Sequence, residues 1–167
     1  DWQKLDDQFT ALIKCDVSGH GSPAAFIMVE VATLFLRWCR QWKARLTSLR
    51  GADRAAERAR ALLDLRRLDS LVYTINDMIV DRGFTGLFAA FMICLSDVQS
   101  GEVIACNAGD NMLFWHDEQK RSMVSRSIDP RSPAAGAFPS DMVKGGSGFP
   151  QVTQRLERGD VLVLVTD

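Results

Sequence analysis

Phe9, Ala11, Ile13 and Cys15 fall on one side of an alternating stretch, with Thr10, Leu12 and Lys14 on the other. A period of two marks a half-buried strand. Asp16-Val17-Ser18-Gly19-His20-Gly21 follows as a turn with two glycines, and Ala24 to about Leu46 then runs without Gly or Pro. Ser22 suits an N-cap and Pro23 a first helical position. The segment predicts one long helix, buried through its first half, where it is apolar nearly all round. A strand that ends in a carboxylate and turns tightly into a long helix calls for a fold in which helices pack on a sheet.

Beyond Gly51, which should break or kink the helix, Leu62, Leu65, Leu68, Val72, Ile75 and Ile79 form a second helical stripe ending near Gly83. Leu87 to Leu95 reads as a buried strand, Asp97-Val98-Gln99-Ser100-Gly101 as a turn, and Glu102 to Cys106 as the returning strand of a hairpin. Asn107-Ala108-Gly109-Asp110-Asn111 is a tight turn into Met112-Leu113-Phe114-Trp115. Residues 127–151 are rich in Pro and Gly and read as loop with a short strand. Val161 to Val165 reads as a buried strand. One strand, two helices and a run of antiparallel strands give an α+β class, with helices packed on antiparallel sheets, as a single domain over 1–167. The chain opens without Met and stops just after a core strand, so it is read as truncated at both ends.

Net charge is −1, from 20 Lys and Arg against 21 Asp and Glu. That balance argues against a nucleic-acid binder. The longest charge-free run, Gly83 to Ser96, falls short of the about 20 apolar residues a membrane span needs. With no signal peptide visible, a cytoplasmic location is expected for this segment, although a longer protein could be membrane-anchored through other segments. Cys15, Cys39, Cys94 and Cys106 form no CxxC pair and read as reduced core thiols. Residues 43–67 hold eight Lys and Arg against three acids, which describes either a solvated helix face or a docking surface for an acidic partner.

The chemistry concentrates at Asp16 to Gly21. Strand ends are where rigid scaffolds present reactive groups. Glycines allow close backbone approach, and a helix N-terminus favours an anion such as phosphate. A nucleophile elbow is excluded because Asp16 stands two before Ser18 where Gly is required. No Walker loop or calcium loop is present. Two histidines, His20 and His116, are too few for a His-rich zinc site. Asp167 ends a second apolar strand. Two strands ending in lone carboxylates suggest a cluster of hard oxygen ligands suited to Mg²⁺ or Mn²⁺.

Asp16-Val17-Ser18-Gly19-His20-Gly21 with Ser22-Pro23-Ala24-Ala25 resembles the first metal motif of the bacterial type 2C-like (PPM) metal-dependent Ser/Thr phosphatases of the sporulation stage II protein E group. Phe88 to Leu95 with Ser100-Gly101-Glu102 resembles that group's central hairpin. Residues 107–111 resemble its Asn-Ala-Gly-His-Asn turn, and Leu156-Glu157-Arg158-Gly159-Asp160 through Thr166-Asp167 its closing Gly-Asp strand and Thr-Asp-Gly motif. Asp1-Trp2 resembles the tail of a Gly-Gly-Asp-aromatic motif. The resemblance implies a sandwich of two antiparallel sheets flanked by helices, in which Asp1, Asp16, the Val17 carbonyl and Asp167 hold two Mn²⁺ or Mg²⁺ ions, with Asp16 bridging them and an activated water attacking phosphorus. Gly19, His20, Asp110 and Asn111 would line the site. Asp110 stands where the group has His, and could add a carboxylate or hold the turn.

The expected function is hydrolysis of phosphoserine or phosphothreonine on a bacterial signalling protein, such as an anti-sigma-factor antagonist. The resemblance further implies homodimerisation through helices and an upstream sensory domain outside this chain. The alternative is a catalytically inactive, phosphatase-like partner-binding module docking through its basic helices. A small-molecule phosphohydrolase using the same ions is a third reading.

Overall fold

The computed structural model describes residues 1–84, 86–110, 113–126 and 132–164, with the side chains of 113–117 and 123–126 left aside. Elements follow in the order β1 (Trp2–Lys4), β2 (Phe9–Val17), α1 (Gly21–Ser48), a 3-10 turn (Ala52–Arg54), α2 (Ala55–Leu65), α3 (Leu68–Asp81), β3 (Ala89–Asp97), β4 (Glu102–Ala108), β5 (Leu113–Asp117), β6 (Ser122–Arg126), α4 (Ser140–Gly145), β7 (Gln151–Arg155) and β8 (Val161–Leu164). Five strands form an antiparallel sheet in the order β1-β2-β3-β4-β7, and three form a second, β6-β5-β8.

The alternation in β2 divides two cores. Phe9, Ala11 and Ile13, with Phe91, Ile93 and Leu95 of β3 and Ile104 and Cys106 of β4, face the helices. The opposite face packs Met92, Cys94, Val103 and Ala105 with Leu12 and Val152 against Leu162 and Leu164 of β8. Helices, large sheet and small sheet therefore form three layers, as the α+β reading expects. From α1 the residues Ile27, Val31, Phe35, Cys39, Trp42 and Leu46 enter the core at three- and four-residue spacing. Leu65 of α2 and Leu68, Val72, Ile75 and Ile79 of α3 complete it.

Several expectations are corrected. The second helical stripe is split into α2 and α3, which break at Arg66 and Arg67. The first half of α1 is not wholly buried: Phe26 and Val29 are 63% and 62% exposed, because only one face of the helix meets the sheet. Among its described residues the Pro/Gly-rich stretch carries a helix, α4, ahead of the short strand β7 that opens at Gln151. Val161 is exposed, since β8 is an edge strand of its sheet. A charge-free run also proves too strict a test for a membrane span. By length and composition α1 is apolar enough to cross a membrane, its best window averaging a hydropathy of 1.3, although here it lies along the sheet.

The turn between β1 and β2 is tied to α2 by a buried pair. Asp6 accepts from the amides of Gln8 and Phe9 and from Arg58 at 2.7 Å. Burial alone would raise the Asp6 carboxyl, but Arg58 and the two amides outweigh it and hold it below the usual range. Asp97, in the β3–β4 turn, is likewise lowered despite its burial, by Gln99, Gln8 and Ser100. A carboxyl lowered in the folded state contributes stability above its unfolded value, about 3.9, and loses it as pH falls through the folded one. The melting temperature is therefore expected to be nearly level from about pH 7 to 5 and to drop below about pH 4. Asp6→Asn should flatten that acid limb, as read by circular dichroism melts.

Candidate metal-binding edge

Asp16 lies one residue before the end of β2, opposite Ala90. The strand closes with Ser18: its amide donates to the Phe88 carbonyl at 2.9 Å and its hydroxyl accepts from the Phe88 amide at 2.8 Å. The Ser18 hydroxyl thus braces the turn. Gly19 has φ +81°, and a Cβ there would fall 2.9 Å from Leu87 Cδ2. Both conformation and space call for glycine at this position. Helix α1 then begins at Gly21, with exposed His20 at the N-cap and no side-chain capping bond. This moves the helix start ahead of the expected Ser22 cap.

The β2 register decides which groups are available. Even-numbered residues bond to β3, as Ser18 does, and odd-numbered ones face β1, as Ile13 does with Asp1. Opposite β2, β1 reaches no further than Asp1 beside Ile13, so the Val17 carbonyl points beyond it, outside the ladder. Asp16 shares the face of Leu12 and Lys14, is exposed, and makes no hydrogen bond or ion pair among the described residues. An unengaged carboxylate beside an unladdered carbonyl is a hard-oxygen donor set that fits Mg²⁺ or Mn²⁺.

Asp1 is held on the neighbouring strand. Its amino terminus donates to the Ile13 carbonyl and its carbonyl accepts from the Ile13 amide, both at 2.9 Å, while its carboxylate accepts from the Trp2 amide at 2.7 Å. Asp1, Lys14 and Leu164 line one hollow of about 430 Å³ with Trp2, Leu12 and Cys15. The end of β8 thus reaches this edge of the large sheet. Asn111 and Asp167 lie outside the described residues. Among the described residues no three Asp, Glu, His or Cys groups gather closely enough to hold an ion.

Asp110 does not stand open. Its carboxylate receives the Lys14 ammonium at 2.7 Å on each oxygen, both side chains being about nine-tenths buried. The Asp110 amide donates to Asn107 Oδ1 at 2.7 Å, and Ser132 donates to the Asn107 carbonyl at 2.9 Å. Gly109 has φ +75° and sits against the Ala134 backbone, where a Cβ would fall at 2.7 Å. Of the two roles open to Asp110 in sequence, holding the turn is the one its contacts display. In sequence Lys14 falls simply on a strand face with Thr10 and Leu12, and its one signal is that it is the lone charge from Phe9 to Cys15.

Cys15 lies between Lys14 and Asp16 on the helix-facing side. Burial, with the nearby Asp16 and Asp110 charges, pushes its thiol up to about 12. All four cysteines are free thiols. The cations of the basic segment stay mostly at the surface, with only Arg58 and Arg66 partly buried, but many of them are paired. Arg45, Arg50, Arg58, Arg66 and Arg67 pair with Asp64, Asp7, Asp6, Glu102 and Asp69, which leaves less of it as an open docking surface than its composition suggests.

Among solved structures, the chain is similar to RsbX in complex with magnesium, at 15% identity and a TM-score of 0.61 over 96% of this chain and 61% of that one. It is similar to the PP2C phosphatase domain of the cell fate determinant SpoIIE from Bacillus subtilis, at 17% identity and a TM-score of 0.61 over 97% of this chain and 38% of that one. The RsbU and RsbW domains of a Mycobacterium tuberculosis protein match at 19% identity and a TM-score of 0.58, over 95% and 35% of the respective chains. The chain therefore spans less than two thirds of the length of each of these relatives. No curated protein matches it. These likenesses establish a PP2C-type fold. Residues 6–167 match the family described as stage II sporulation protein E (SpoIIE). By that match across nearly its whole length, the chain belongs to the SpoIIE family.

Proposed function

We propose that the chain carries the catalytic edge of a metal-dependent protein serine/threonine phosphatase. The observation that carries this reading is Asp16: an exposed, unengaged carboxylate at the end of a core strand, beside the unladdered Val17 carbonyl, in a SpoIIE-family chain. Asp16 and Val17, joined by Asp1 and Asp167, would hold two Mn²⁺ or Mg²⁺ ions. When bound, such ions supply an activated water and neutralise charge on the phosphoryl group. The chain's own part is positional. The β2–β3 ladder fixes Asp16, the Ser18 brace fixes the turn, and the amides that begin α1 favour a phosphate nearby. Ser18, held by the Phe88 amide, serves as a brace of the turn, which accords with direct attack by water.

The substrate class we propose is a phosphoserine or phosphothreonine of a bacterial signalling protein, such as an anti-sigma-factor antagonist. The neighbours support a signalling setting, since one of them joins an RsbU to an RsbW domain. A homodimer through the helices, an upstream sensory domain and a cytoplasmic site of action belong to the same proposal.

The test is hydrolysis of a generic phosphate ester by the full-length protein that contains this chain, with Mn²⁺, with Mg²⁺ and with chelator. Activity abolished by chelator and restored by either metal is the expected result, with a phosphoprotein turned over faster than small esters. No hydrolysis and no metal uptake by calorimetry would overturn the reading in favour of a partner-binding module.

A further inference from the structure

The Lys14–Asp110 pair joins residues 96 positions apart and sits on the candidate metal edge. Lys14, Met92 and Asn107 lie in one row across β2, β3 and β4. Lys14 is two residues before Asp16 on the same strand face, so it reaches across β3 toward the turn that follows β4. There it meets both oxygens of a carboxylate that is itself buried and whose amide is anchored by Asn107. A carboxylate this buried needs a compensating cation. Here the chain itself supplies that cation, through Lys14.

We propose that the Lys14 ammonium is a built-in cation of this edge: it occupies the carboxylate of Asp110, so that Asp110 takes no divalent ion. The proposal rests on the metal-binding reading of the edge, and it assigns Lys14 and Asp110 as positioning residues. An ion on either Asp110 oxygen would have to displace the ammonium or sit against it, with their repulsion little screened in so buried a pair. The turn 107–110 is then held in place whether or not metal is bound. Metal capacity is set by the remaining oxygen donors.

The experiment is a count of Mn²⁺ ions bound by the full-length protein, by calorimetry and by equilibrium dialysis with metal analysis. Asp110→Asn keeps an oxygen for Lys14, and should leave both the number of ions and their affinity within about twofold of the unmutated protein. Lys14→Met should gain one additional Mn²⁺ per chain, and Lys14→Met combined with Asp110→Asn should lose that gain. Lys14→Arg, which restores a cation, should bind no extra ion. Loss of an ion in Asp110→Asn would overturn the proposal, as would a folded Lys14→Met with no gain. Should Lys14→Met fail to fold, Asp110→Asn alone decides. Absence of Mn²⁺ from the unmutated protein would count against the phosphatase reading. The difference between Lys14→Met and the double variant would still decide the role of Lys14.

Discussion

Asp16→Asn is expected to abolish metal-dependent ester hydrolysis, a loss on the order of 10³-fold in kcat/KM, or about 4 kcal/mol of transition-state stabilisation. Asn keeps the shape of the side chain and removes the anionic oxygens that a hard divalent ion requires. The same substitution should scarcely touch folding. Asp16 is exposed and engages no partner among the described residues, and surface changes of that kind usually stay within about 0.5 kcal/mol. Activity and the urea midpoint, measured together, separate the two effects. Full activity in Asp16→Asn would sink the mechanism. An equally large fall in the midpoint would show instead that Asp16 supports the fold.

What the sequence disclosed follows from how local each signal is. The strand β2, its glycine turn and the β3–β4 hairpin are carried by neighbours in sequence: alternation over Phe9 to Cys15, and turn residues at Asp97 to Gly101. These elements are legible in sequence. The helix start was misplaced because Gly21, at φ +77°, still opens α1, and no pattern of residue types records that. Helix α4 is six residues long, too short for a helical period to show among prolines and glycines. Burial of β8 could not be judged, because being an edge strand is a property of the whole sheet. Lys14 and Asp110 were least legible of all. Each is an ordinary charged residue in its own segment, and only the order β2-β3-β4 brings them into one buried pair. The Asn111 and Asp167 assignments lie outside the described residues.

The loop behind that pair is the place where one substitution should cost most in stability. Asn76 of α3 is fully buried. Its amide nitrogen donates to the Phe138 carbonyl at 3.1 Å and to the Ser140 hydroxyl at 3.0 Å, and its oxygen accepts from the Gly136 amide at 2.7 Å. One side chain therefore pins residues 136–140 to the helix layer. From there the loop continues to Ala135, paired with Ala89 by two 2.9 Å bonds, to Ala134 against Gly109, and to Ser132 on Asn107. Asn76→Leu fills the volume but strands buried polar groups of Gly136 and Phe138, each worth about 1–3 kcal/mol when unsatisfied. A loss of about 3 kcal/mol is expected in urea unfolding, with the slope unchanged. Because the loop backs the 107–110 turn, Asn76→Leu and Ser132→Ala should also couple by about 0.5 kcal/mol or more in a double-mutant cycle. A loss below about 1 kcal/mol for Asn76→Leu would mean that the loop is held mainly by its Ala135–Ala89 bridge and by Ile79 packing on Gly136. Strict additivity with Ser132→Ala would mean that the helix layer and the 107–110 turn are braced independently.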